Sequence, residues 1–487
     1  MVKRLAVEAA AAAILYSDYA LALEWLEYVR GVVWSRYLML HPLLDRSLDQ
    51  LRSVYPELAT RLQTVAKQLH GTVSSSQGPW TLSSALLTAE QATREYHQLE
   101  KEYNDLVSHA RTLPGFENFL RPMKASDLVR AARNGPIVVV NCCMDRCDAL
   151  IILPGQSDIK HLPLPKFTTN GIQLARDRIE HELKGSIGAI TIKNGSETPA
   201  EDLQHGLAEL WNVIVKPVLE YLGYMGGVPT DNLPHITWCL NGVVSTLPLH
   251  AAGDYDQPRS RIFDYAISSY TPTITALLSS AWIPLTCESR VLAIGQTGIP
   301  NNHSSPSVVA ELSNLRAHVQ NKASYLEIVD DQAITTAVLD AMEQHDWVHF
   351  ACHAHQNDGD PTKSAFFLHD GSLDLATISR RSFKNKGLAF LSACQTAASD
   401  GQLFGEAVHL SSAMLMAGYS SVIGVMWTMM DEDRAFVSDK LYAQLTGDGE
   451  VGNGGAAKAL HNAVAELRNK VGEKEFARWV SYVHIGQ

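Results

Sequence analysis

The sequence predicts an α/β domain, with a central and mostly parallel sheet flanked by helices, preceded by an all-α region. Three observations carry this. Apolar residues recur at helical spacing over roughly the first 125 residues. After Asn134-Gly135-Pro136 the pattern changes to short continuous apolar runs, as in strands buried on both faces. Those runs then alternate with amphipathic stretches, the order that builds βαβ units.

The bulk composition agrees with a folded chain. With 487 residues, 46% hydrophobic and 19% charged, it can bury a sizeable core and is not disordered. Lys+Arg 40 against Asp+Glu 52 leaves a net charge of −12, which argues against direct nucleic-acid binding through a basic footprint. Seven cysteines are too few, and odd in number, for the disulfide framework of a small secreted domain. Met1-Val2-Lys3-Arg4 and the apolar residues after it imitate a signal peptide. Glu8 interrupts the run and no small-residue cleavage site follows, so a helix is expected. No apolar run reaches the length of a membrane span. A cytoplasmic protein is expected, and Asn194-Gly195-Ser196 and Asn302-His303-Ser304 are then chance matches to a glycosylation sequon.

In chain order, residues 9–15 and 19–31 read as two helices around a Ser17-Asp18 turn, a hairpin that resembles a tetratricopeptide-type unit. Amphipathic helices follow at 43–69, broken at Pro56, and at 80–111, separated by a Ser-rich loop. Strands are expected at 137–140, 149–153 and 235–240, with a helix at 199–222. A second α/β unit opens at Arg290. It has strands at 290–295, 325–329, 347–351, 388–393 and 422–427, and helices at 308–320 and 333–344. The expected domains are a helical region at 1–125, one α/β half at 130–285 and another at 286–487.

Two strand ends carry candidate chemistry: His349-Phe350-Ala351-Cys352-His353-Ala354-His355 and Leu391-Ser392-Ala393-Cys394-Gln395-Thr396. Neighbouring parallel strands bring such ends together, and ligands gather at their carboxyl ends. An imidazole there takes or balances the proton of a thiol and favours the nucleophilic thiolate.

These segments resemble the CHAT proteases, caspase-like cysteine peptidases related to separases. The likeness continues through Gly405-Glu406-Ala407, residues 410–427 and, upstream, Leu240-Asn241-Gly242 to Leu249-His250-Ala251-Ala252, covering about 130–487. It implies a caspase/separase-like fold with an inactive half before an active half. It implies a cysteine endopeptidase acting on specific protein partners, without a cofactor or metal. Cys394 would be the nucleophile and His353 the general base. The oxyanion hole would be the N–H groups of Cys394 and of Ala354, where the family usually has Gly. A left-handed backbone at that point would strain an alanine. Asp431 and Asp433 would line a pocket for a basic side chain, while the neutral Ser392, standing where basic-specific relatives carry Asp, leaves an apolar preference open. An activating protein partner would engage the N-terminal helices.

Other readings compete. A weakly active or inactive CHAT scaffold for regulated assembly is the main alternative. A metal-dependent hydrolase would need His349, His353 and His355 on one strand face, but no His-Glu-x-x-His run is present. Cys142-Cys143-x-x-x-Cys147 lacks zinc-site spacing and reads as packed thiols at a strand end. Gly447-x-Gly449-x-x-Gly452 follows a helix and reads as a loop, and neither a GxSxG nor a Walker A motif is present.

Overall fold

The computed structural model describes residues 2–38, 48, 50–74, 85–117, 119–121, 123–143, 146–165, 171, 175–176, 201–226, 232–241, 244–245, 247–279, 286, 288–297, 306–355, 357, 363–379, 381, 383, 386–392, 394–395, 410–427, 429–447 and 455–486. They divide into two compact units, Met1–Val33 with Lys124–Gln487, and Trp34–Met123. The expected helical region of 1–125 is therefore split, because its first hairpin is built into the α/β unit.

That hairpin is α1 (Val2–Leu15) and α2 (Tyr19–Leu38), with Ala10, Ala22 and Leu23 fully buried. Ser17 takes a left-handed φ of 59° in the turn, and Asp18 Oδ1 caps α2 by accepting Leu21 N–H at 3.0 Å. Two buried charges anchor it. Glu27 accepts the N–H groups of Ile274 (3.1 Å) and Thr275 (2.8 Å), at the start of the short helix Ile274–Ser279. Arg30 donates from Nε to Asn241 Oδ1 at 2.8 Å and lies 3.4 Å from Glu27. Buried charges need such partners, so the hairpin cannot leave the sheet without stranding both.

In the second unit the chain is helical at 51–54, leaves the helix at Tyr55 and re-enters it at Pro56. This is the expected break, and proline suits the first position of the new helix, α3 (Pro56–Ser74). Helix α4 (Ala85–Thr112) follows, and Ala59, Leu62, Val107 and Ala110 share one core.

The α/β unit holds strands β1 (Ile137–Cys143), β2 (Arg146–Ile152), β3 (Ile159–Pro163), β4 (His235–Leu240), β5 (Ile267–Tyr270), β6 (Arg290–Gly295), β7 (Ser324–Val329) and β8 (Trp347–Ala351). It continues with β9 (His353–His355), β10 (Ala365–Leu368), β11 (Gly371–Asp374), β12 (Lys386–Leu391), β13 (Cys394–Gln395), β14 (Tyr419–Val425) and β15 (Tyr482–Gly486). Eleven strands form one sheet in the order β3-β2-β1-β4-β5-β15-β14-β12-β8-β6-β7. It is parallel except for the β1–β2–β3 edge and the β14–β15 pair. Consecutive residues such as Ile137 and Val138, or Ala389 and Phe390, are all buried, so both faces are covered.

Helices α5 (Glu201–Leu210), α6 (Pro306–Val319), α7 (Thr335–Gln344), α8 (Leu410–Ala417), α9 (Asp431–Leu445) and α10 (Gly455–Val471) flank the sheet. The expected helix at 199–222 has a π segment, Trp211–Val215, between α5 and Lys216–Tyr221.

The last strand lies inside the main sheet, not at its edge. β15 lies between β5 and β14, and a hydrogen-bond chain runs from β4 through β5 and β15 to β14. His235 Nε2 meets Ser269 Oγ at 2.6 Å, Ser269 Oγ meets His484 Nδ1 at 2.6 Å, and His484 Nε2 meets Ser421 Oγ at 2.7 Å. Among the described residues no helix is long and apolar enough to cross a membrane.

Candidate active site

The geometry of the site begins with the register of two core strands. β8 and β12 are parallel neighbours, with Phe350 opposite Leu391. Just beyond them the chain forms a second sheet, of order β11-β10-β9-β13. There His353 is the Cα partner of Cys394 and Ala354 that of Gln395, in the same register offset as the core pair. Neighbouring strands run about 4.8 Å apart, so the backbones of His353 and Cys394 stand side by side. The sequence reading had both residues at the ends of core strands. They lie instead just past those ends, on short strands of a separate sheet.

His353 is half-buried, and its Nδ1 has no hydrogen-bond partner among the described residues. Burial lowers its pKa below the usual 6.5, and the Arg434 guanidinium lowers it further against the opposing pull of Asp431. The imidazole is thus neutral near pH 7, the form that accepts a proton. Ala354 is buried in β9. The four described non-glycine residues with positive φ are Ser17, Leu120, Arg259 and Asp330, so the backbone at Ala354 suits an alanine.

Arg434 is the residue the sequence reading missed. It is 2% exposed, projects from the first turns of α9, and donates to the Ser392 carbonyl at 3.3 Å and Ser307 Oγ at 3.1 Å. Its third partner is Asp431 at 3.1 Å. It therefore ties the end of β12, the first turn of α6 and α9 together. An Asp-x-x-Arg spacing on a helix is its only sequence signal, and such pairs are common on exposed helix faces.

Of the three expected pocket residues, two are buried and one is exposed. Asp433 is fully buried in a bidentate pair with Arg478, at 2.7 Å to Nε and 2.6 Å to Nη2. Its charge is spent on holding the turn before β15 against α9. Ser392 is also fully buried, with its carbonyl under Arg434. Asp431 stays 60% exposed at the start of α9, where the helix dipole favours it.

His349 is bound in the core, apart from His353 and His355. Its Nδ1 meets the Tyr442 hydroxyl at 3.1 Å and its Nε2 lies 3.2 Å from Glu311, with both His349 and Glu311 wholly buried. Among the described residues no three His, Cys, Asp or Glu are grouped as metal ligands.

No curated protein matches the sequence. Among solved structures, a chain of the Saccharomyces cerevisiae separase–securin complex is similar over 92% of this protein, at 10% identity and a TM-score of 0.52. A second crystal structure of that complex gives 91%, 10% and 0.52. The protein spans only 40% and 37% of those chains. The Arg-specific cysteine proteinase gingipain R is similar over 57% of this protein and 68% of its own chain, at 9% identity and a TM-score of 0.41. The separase likeness shows a shared fold: a large, mostly parallel sheet with flanking helices, preceded by helices. The CHAT domain matches residues 204–487, the part that holds His353, Cys394, Arg434 and the last strand, and the protein belongs to the CHAT-domain family.

Proposed function

We propose that the protein is a cysteine endopeptidase that cleaves one or a few protein partners through an acyl-enzyme. The pairing of His353 with Cys394 across neighbouring parallel strands is the observation that carries this reading. His353 takes the thiol proton, and the thiolate attacks the scissile carbonyl. The N–H groups of Cys394 and Ala354 receive the oxyanion, and His353 returns the proton to the leaving amine. Water then hydrolyses the thioester by the same relay. Asp431, exposed at the start of α9 and paired with Arg434, would meet a basic side chain before the scissile bond. An activating protein partner would engage the N-terminal helices.

The test is the pH dependence of alkylation at each cysteine, mapped by mass spectrometry, in wild type and His353→Ala. The reading requires Cys394 to react below the ordinary thiol pKa of about 8.5 and to lose that advantage without His353. Slow labelling of Cys394 that is indifferent to His353, with or without candidate partners, would refute it.

A further inference from the structure

We propose that Cys142 and Cys147 form an oxidisable cross-strand dithiol that closes into a disulfide at the end of the β1–β2 hairpin. The two residues are Cα partners in the antiparallel ladder. Leu164 N–H donates to the Cys147 carbonyl at 2.9 Å, so the backbone of Cys147 faces β3 and not β1. An antiparallel residue turns its N–H and C=O to the same side, which makes Cys142–Cys147 a non-hydrogen-bonded pair. The other strand gives the same answer. The Pro136 carbonyl accepts from Thr237 on β4, and alternation by two carries that direction to Cys142.

This distinction decides the chemistry. Non-hydrogen-bonded partners have Cα atoms about 4.5 Å apart, inside the span a disulfide bridges. Directly opposed residues also project from the same face of a sheet. Here that face is the one Val138, Val140, Ala149 and Ile151 turn to the main core. Cys143 alternates to the opposite face, where its partner is Arg146.

Cys142 is partly exposed and Cys147 is 3% exposed, so an oxidant meets Cys142 first. With a low-molecular-weight disulfide as oxidant, the Cys142 thiolate attacks one of its sulfurs and releases one thiol. The Cys147 sulfur loses its proton, attacks Cys142 Sγ and releases the second thiol. Two protein thiols are oxidised and the reagent disulfide is reduced to two thiols. Burial first, and then the Cys147 thiol, raise the Cys142 pKa and keep its thiol protonated at rest.

The full chain would be incubated with oxidised glutathione, alkylated, and digested with trypsin without reduction. Cleavage after Arg146 separates Cys142 and Cys143 from Cys147. The expected product is one linked peptide pair, lighter by two hydrogens, with Cys142 and Cys147 both lost to alkylation and Cys143 still alkylated. Cys147→Ser should instead trap glutathione on Cys142. Full alkylation of Cys142 and Cys147 after oxidation would overturn the proposal. So would a native product in which Cys143 pairs with Cys147 as often as in a sample oxidised in denaturant, because the register would then direct nothing. The wild-type result decides the matter even if the variant does not fold.

Discussion

Removing Arg478 should destabilise the protein more than removing its partner, Asp433, and neither change should alter substrate preference. Asp433 has no exposed surface, and its carboxylate is held by two charge-assisted hydrogen bonds from Arg478. Arg478→Gln leaves a buried carboxylate without its cation, a loss of about 3–5 kcal/mol. Asp433→Asn is milder. The Arg478 side chain is 23% exposed and keeps Glu432 at 2.6 Å, so water and that partner take up part of the loss and about 1–3 kcal/mol is expected. Peptide-resolved hydrogen exchange of α9 reads the effect locally, as a faster opening of amides in 431–445, and urea unfolding reads it globally. The double variant should lose less than the sum of the singles, as neighbours in one ion pair do. The reasoning fails if Asp433→Asn leaves the protection of α9 unchanged but abolishes a preference for basic residues in a peptide library. Asp433 would then be a pocket residue.

Arg434→Gln should move the acidic limb of Cys394 alkylation to higher pH, since Arg434 lowers the His353 pKa and its loss lets that value rise. It should also cost about 1–3 kcal/mol by leaving the buried Ser392 carbonyl without its donor. An unmoved limb would remove Arg434 from any influence on His353. Acid should destabilise the protein, because burial holds His235, His250 and His461 down to about 4 and His484 to about 3, from 6.5. Unfolded histidines take up protons near pH 6.5 and these four do so only below it, so stability is complete above that pH and falls as pH drops through the window. Each contributes a slope of about 1.4 kcal/mol per pH unit, and His484→Gln should flatten the urea-midpoint profile by one such share. Gly418→Ala should unfold or severely weaken the sheet: at φ +122° its Cβ would stand 1.7 Å from the Phe383 carbonyl oxygen, which no rotamer can relieve. A thermal melt within about a degree of wild type would contradict that backbone conformation.

Periodicity exposed most of the helices and eight of the eleven strands of the main sheet, but not β3, β5, β15 or α10. The apolar runs at 137–140, 235–240, 290–295, 347–351 and 388–393 all lie in or overlap strands of the main sheet, because strands buried on both faces need apolar residues at every position. The His353 and Cys394 segments were visible because each follows such a run. Strands β9 and β13 were not, for two or three residues form a strand only when a neighbour supplies the other half of the ladder. β15 was missed as well, since its alternation includes His484, whose polarity is tolerated only because Ser269 and Ser421 meet both ring nitrogens. The same dependence on distant partners explains the acidic run at 431–433. In sequence, Asp431 and Asp433 are equivalent carboxylates two residues apart. The fold brings Arg478 to one and Arg434 to the other, burying the first and leaving the second at the surface. Local chemistry therefore determined which elements form and where a thiol and an imidazole follow them. Which charges are buried and which stay at the surface was decided only by tertiary structure, because an ion pair belongs to two segments and is written in neither.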